Sequence, residues 1–244
     1  MLVDLKSRKT HRLVQDGFRI LRNLDHRGAR GAEENLGDGA GMLLQKPHEF
    51  FREEIVGLGD FDSYGVGQMF LPQDASDASA IRLVIEDCLR DENFEMIKWR
   101  PVPTDNSELG KTATATEPVI VQFFVKPEHP IPPEQLDTKL YILRRVIENA
   151  VAESRVGLTD QFYICSLDRR KIVYKGMLTV NQLEGYYPDL SDERVQSSLV
   201  LVHSRFSTNT LGSWRLAHPY RNIIHNGEIN TIRRSEEHTS ELQS

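Results

Sequence analysis

The chain has 244 residues, 39% hydrophobic and 27% charged, with a net charge of -6. This is an ordinary globular composition, long enough to bury a sizeable core as one large domain or two small ones. The acidic balance argues against nucleic acid as the main partner, and no apolar run is long enough to span a membrane.

Thr10 is a plausible N-cap for a helix over 11–24, where Leu13, Val14, Phe18, Leu21 and Leu24 recur at helical spacing and Gly17 weakens the pattern. A glycine-rich loop over 28–41 follows, then a strand over 42–45 and a short helix opened by Pro47. A strand is predicted over 64–71, an amphipathic helix over 77–90, a strand over 96–102 and a small, polar loop over 111–116. The run PVIVQFFV (118–125) is strongly β-prone. A proline cluster precedes a long helix over 134–153. Residues 162–167 and 171–174 suggest a hairpin-like pair around Asp168-Arg169-Arg170, and 198–206 is the last strand. The pattern predicts mixed α and β without repeats or low-complexity linkers.

Two cysteines, Cys88 in IRLVIEDCLR and Cys165 in FYICSL, are too few for a Cys-rich zinc or iron–sulfur site. Both read as reduced, buried, small hydrophobes of a cytosolic protein, without a catalytic role. The acidic pairs Glu33-Glu34 and Glu53-Glu54 read as solvated. The cluster Gly37-Asp38-Gly39-Ala40-Gly41 lacks the spacing and flanking elements of a dinucleotide site. It reads as a turn that admits close backbone approach.

The chemistry concentrates in 202–232, VHSRFSTNTLGSWRLAHPYRNIIHNGEINTI. Arg205 falls at the end of the last predicted strand, and an arginine fork can grip a carboxylate through two parallel bonds. Asn226-Gly227 follows a short apolar run, and an amide beside a Gly N–H can aim two donors at one oxygen. Each half has a plainer reading. Asn-Gly between apolar residues is a strong hairpin signal, and an arginine at a strand end is commonly a solvated charge.

Read whole, the strings SRFSTNT, AHPYR and HNGEINT, with DHRGARGAEENLGDGAGML (25–43) and FYICSLDRRKIVYKGML (162–178), resemble the glutamine-amidotransferase (glutaminase) domain of the glutamate synthase large subunit family. The resemblance runs from about Leu2 to Arg233. It implies an α+β fold, the four-layer αββα sandwich of N-terminal-nucleophile hydrolases, incomplete at both ends. In that class an N-terminal cysteine attacks glutamine and its own α-amine is the base; the handling of an N-terminal threonine is analogous. The resemblance assigns Arg205 to the substrate α-carboxylate, Thr208 to a hydroxyl contact, and Asn226 and Gly227 to the oxyanion hole. His218 would shape the site and Asp38 would pack near it. L-Glutamine is the implied substrate. The implied partners are synthase domains of the same chain and a reductase subunit or ferredoxin, with no nucleic acid and no membrane, in the cytoplasm. FMN and an iron–sulfur cluster are expected in the rest of the protein and none in this segment.

Two departures from the family pattern bear on activity. Family chains begin Cys-Gly-Val-Gly, then an apolar residue and a strand resembling LVDLK. Here Leu2 to Lys6 are present, Met1 stands where the apolar residue would be, and the cysteine is absent, so the expected true start lies a few residues upstream. Residues 234–244, RSEEHTSELQS, translate codon by codon from a common short-read sequencing adapter and are expected to be a scar outside the domain, 1–233. Alternative readings are another amidotransferase of this class, making asparagine, an amino sugar or a phosphoribosylamine, or a non-catalytic docking module.

Overall fold

The β-prone run at 118–125 forms β5 (Val119–Pro127), flanked by β4 (Phe94–Pro101) and β3 (Gly65–Leu71), with β6 (Tyr163–Asp168) beyond β3. These make one antiparallel sheet in the order β4-β5-β3-β6. The second contains β1 (Leu2–Val3), β8 (Leu199–Ser204), β2 (Ala40–Gln45) and β7 (Lys171–Gly176), in the order β1-β8-β2-β7. The structure is a computed structural model that describes residues 1–25, 35, 37, 39–154, 161–204 and 212–221.

Strand alternation sorts β5 between two layers. Val121, Phe123 and Val125 join the core beneath two helices, α3 (Ala75–Asp91) and α5 (Pro133–Glu153). Those helices contribute Ile81, Ile85, Leu140, Leu143 and Ile147. Ile120 and Phe124 belong to the other core, shared with the second sheet. Helix α1 (His11–Asn23) covers that second sheet. The result is an α+β sandwich of helices, sheet, sheet and helix.

Thr10 caps α1 as the sequence predicts, its hydroxyl accepting from Leu13 N at 3.3 Å. Gly17 does more than weaken the helix. A Cβ there would stand 2.8 Å from Val200 Cγ1 and 3.1 Å from Met42 Cε, so glycine permits the close approach of α1 to β8 and β2.

Several expectations need correction. Residues 162–167 and 171–174 do not pair as a hairpin: β6 bonds to β3 and β7 to β2, so the turn at 168–170 carries the chain from one sheet to the other. Both strands are buried along most of their length, and an apolar run does not reveal which sheet it joins. Arg169 fixes the crossing by bonding Asp137 and Asp62. The predicted loop at 111–116 contains helix α4 (Lys111–Ala115), where Thr114 Oγ1 donates to Gly110 O at 3.0 Å and Ala113 is fully buried. Of LVDLK only Leu2 and Val3 are strand; Asp4 accepts from Lys6 N at 2.8 Å and turns the chain. Glu53 and Glu54, the last two residues of α2 (His48–Glu54), are exposed as expected, and there they pair with Arg194 at 2.8 and 2.9 Å. The sequence reading also passed over α6 (Gln182–Tyr186) and the 3-10 turn Pro188–Ser191.

That turn supplies the anchor between the sheets. Arg100 of β4 forks onto Asp189 at 2.7 and 2.8 Å and donates to Gln122 Oε1 at 3.0 Å. Gln122 Nε2 then donates to Tyr174 of β7 at 2.9 Å, and the Tyr174 hydroxyl donates to Asp189 at 3.2 Å. Asp189 is nearly inaccessible, its side chain 4% exposed. Arg100→Met would strand that carboxylate and should cost about 3–5 kcal/mol of stability, measured by urea denaturation against the parent chain. A loss no larger than that of an exposed pair would contradict the anchoring role.

Candidate active site

Strands β8, β2 and β7 meet at one end of their sheet. Gly41 of β2 lies opposite Lys175 of β7 on one side and His203 of β8 on the other. Directly opposed residues of antiparallel strands share a face, so Lys175, Gly41 and His203 form a row. The glycine at its centre leaves a gap, which residues 212–221 fill. A Cβ at position 41 would stand 2.3 Å from His218 O and 2.6 Å from Pro219 Cδ.

Around this contact the rings are close. His218 lies 4.4 Å from the His203 ring centroid and 4.1 Å from that of Tyr220. Lys175 is fully buried. Its Nζ donates to Arg215 O at 2.8 Å and sits 4.3 Å from the Tyr163 ring centroid and 5.1 Å from that of Tyr220. Arg221, at the end of the segment, donates to Ile164 O and lies 3.7 Å from Glu148. Trp214 Nε1 donates to Ala113 O at 3.2 Å. A cavity of about 280 Å³ borders this segment, lined by Phe70, Pro118, Met177, Trp214 and their neighbours. Neither Lys175 nor His218 lines it.

Burial sets the protonation states. It pushes the Lys175 ammonium down to about 8, with the nearby Arg221 charge acting in the same direction. Burial, His203 and Lys175 together hold His218 down to about 4. His218 is therefore neutral at pH 7 and can offer hydrogen bonds but no charge. The two cysteines are free and buried; burial raises the Cys165 thiol to about 11 and raises Cys88 as well. Neither is a ready nucleophile, since the thiolate is the reactive form.

Of the residues singled out in the sequence, the structure places His218 against His203 at the strand end that leads to Arg205. Arg205, Thr208, Asn226, Gly227, Asp38, Glu33-Glu34 and the tail 234–244 lie outside the described residues. Lys175 and His203 were passed over; Gly41, of the cluster read as a turn admitting close backbone approach, does meet the His218 backbone closely, but from strand β2. One signal was available for Lys175: a charged residue inside the apolar strand sequence KIVYKG. Among the described residues no group of three or more His, Cys, Asp or Glu is placed to hold a metal, and no helix is long and apolar enough to cross a membrane.

A sandwich of two antiparallel sheets between helices, with its candidate residues at one strand end, is the framework of an N-terminal-nucleophile hydrolase. The sequence pattern of the class-II glutamine amidotransferases matches residues 1–243, and the chain belongs to that family. It is 40% identical over 234 residues to the NADPH glutamate synthase large chain of Bacillus subtilis, covering 94% of this chain and 15% of that one. The corresponding large chain of Azospirillum brasilense is 40% identical over 235 residues, 95% of this chain and 15% of that one. NADH glutamate synthase of Saccharomyces cerevisiae is 40% identical over 239 residues, 92% of this chain and 11% of that one. The chain thus spans about a seventh or less of the length of these relatives.

Two outcomes test the geometry. Gly41→Ala forces a methyl group into the His218–Pro219 backbone and should cost about 1–3 kcal/mol, as overpacking does, read as a lower urea midpoint. His218 has a folded pKa near 4, below the 6.5 of the free side chain. Its contribution is complete above pH 6.5 and is lost as pH falls toward 4, because the unfolded chain takes the proton first. His218→Gln should therefore flatten the fall in stability across that window, measured by denaturation at stepped pH; an unchanged slope would place the titration elsewhere.

Proposed function

We propose that this chain is part of the glutaminase domain of a glutamate synthase, the domain that hydrolyses L-glutamine to glutamate and ammonia for reductive amination of 2-oxoglutarate. The observation that carries the reading is the register of β1 on β8. Leu2 lies opposite Val200 and Val3 opposite Leu199, antiparallel. Chain preceding Leu2 in that ladder runs opposite Leu201, Val202, His203 and Ser204 in turn. On the family's pattern, with Cys-Gly-Val-Gly ahead of Met1, a continuation of that ladder would carry the cysteine toward Ser204, the described end of β8. In sequence, Ser204 is followed by the arginine read as the carboxylate grip.

In this reading the cysteine's α-amine, with an ordinary pKa of about 8, takes the thiol proton near neutral pH. Arg205 and Thr208 hold the amino-acid end of glutamine, and the Asn226 amide with the Gly227 N–H stabilises the tetrahedral oxyanion. His218, neutral and packed on His203, shapes the wall without adding charge. The reading is supported by the family membership and by the names of the relatives. The released ammonia would go to synthase domains of the same chain, with a reductase subunit or ferredoxin supplying electrons. An iron–sulfur cluster, which takes four ligands, does not fit the two cysteines of this segment: Cys88 lies on α3 and Cys165 on β6, each buried and with its thiol pKa raised; FMN and the cluster are expected in the rest of the protein. The free thiols accord with a cytoplasmic setting.

By this reading the chain as it stands releases no ammonia from glutamine, and turnover abolished by alkylating Cys88 or Cys165 would overturn the mechanism. In a longer protein carrying the upstream cysteine and downstream sequence, Asn226→Ala should lower kcat by roughly 10²–10³ with little change in KM, as expected for a donor that acts mainly in the transition state. A near-normal kcat per folded molecule would leave Asn226-Gly227 as a hairpin turn.

A further inference from the structure

Residues 212–221 join the stretch bearing Arg205 and Thr208 to the stretch bearing Asn226 and Gly227. On the glutaminase reading, whatever fixes this segment on the sheet bears on how those two stretches come together. Its contact with Gly41 is one of shape alone. A polar bond from the sheet to the segment's backbone comes from Lys175, whose Nζ donates to Arg215 O at 2.8 Å. We propose that Lys175 is a positioning residue of the glutaminase site, a clamp that sets the 212–221 segment so that both halves of the site face one substrate. This rests on the glutaminase reading above.

Packing alone does not account for a lysine there. The side chain is fully buried, between the rings of Tyr163 and Tyr220. The groups that bear on it electrostatically are the Cys165 thiol, which burial keeps protonated, and Arg221, of the same sign. Removing an ammonium from water without a carboxylate partner is costly, and the two ring faces offset only part of that cost. A methionine would fill the same volume without the desolvation penalty. What a methionine cannot do is hold the Arg215 carbonyl.

Lys46 provides an internal control. It is also fully buried and follows β2 at the opposite end of the β2–β7 pair. Its Nζ donates to Phe61 O at 2.6 Å and Tyr64 O at 3.1 Å, and burial pushes it down to about 6. Its bonds and ring contacts go to Phe61 and Tyr64, away from the 212–221 segment, so its loss should alter stability without altering the site.

The test has two arms. In this chain, Lys175→Met should speed hydrogen exchange at Ala217 N, which bonds Ser213 O at 3.2 Å within the segment. Lys46→Met should leave that amide unchanged, and so should Lys175→Gln if its amide still donates to Arg215 O. Equal protection in Lys175→Met and the parent overturns the clamp without reference to activity. In the longer protein with its cysteine, glutamate release per folded molecule should fall in Lys175→Met by about 10²-fold in kcat/KM, the scale of a roughly 1 Å misplacement. Both kcat and KM should move, because grip and oxyanion donors share the segment. Lys175→Gln should recover much of the loss, and Lys46→Met should match the parent. Unchanged kcat and KM in Lys175→Met would overturn the positioning role, as would an equal loss in the Gln and Met variants. An inactive parent would instead overturn the glutaminase reading, leaving the exchange arm to decide the clamp. Should Lys175→Met fail to fold, Lys175→Leu, which also lacks a donor, takes its place against Lys46→Met in both arms: faster exchange at Ala217 with lower kcat/KM in the first alone supports the clamp, and parent-like values in both overturn it.

Discussion

The register of β2 between β7 and β8 is the constraint on which the site depends. Side chains alternate between faces, so a slip of β2 by one residue would replace Gly41 between Lys175 and His203 with Ala40 or Met42. The register is specified from both sides. Met42 and Leu44 are fully buried on the alternate positions, and Gly17 lets α1 close on Met42, Val200 and Val202. Shifting the strand would turn those apolar groups away from α1 and displace Gln45, whose side-chain oxygen now accepts from Ser198 N at 3.0 Å. Burial on one face thus fixes the chemistry presented on the other.

The same register explains why the candidate site stands at this end of the sheet. Three strand ends converge there, with Gly41 the small residue in the middle. The opposite end is closed by Lys46 bonded to two carbonyls and by Arg169 holding the crossing between sheets. One end of the strand pair is tied by polar bonds among fixed elements, while the other receives a separate segment across a glycine. An active site assembled from distant parts of the chain needs such a receiving surface, because its groups must sit within about 0.5 Å of productive geometry.

Much of the fold was legible in the sequence because the long elements carry strong periodicity. The helix over 134–153 and the strand over 118–125 lie within a residue or two of α5 and β5. The misreadings share a cause: they depend on partners far along the chain. Lys111–Ala115 is helical although small and polar, with Trp214 Nε1 bonded to Ala113 O. The strands β6 and β7 look like a hairpin until β3 and β2 claim them separately. In the site, motif residues such as His218 stood out by their type and neighbours. Lys175 did not, and Gly41 did so only within its glycine cluster, since their joint importance comes from being opposite one another in a ladder, a relation no local window contains.

Electrostatics supplies the last step. Lys175 and His218 are neighbours by packing, and each carries a pKa displaced by burial in the direction that favours its neutral form. Were both charged, two cations would face each other beside the strand end that leads to Arg205, itself a cation. Keeping His218 neutral removes one of the three charges. Lys175, still largely protonated below about 8, keeps its charge directed at the Arg215 carbonyl and two ring faces. Under the proposed function a substrate carboxylate would meet Arg205 through a planar fork that a lysine cannot imitate. On that proposal two tasks are separated that a single cationic cluster would confuse: one positive group holds the chain, and another is left to hold the ligand.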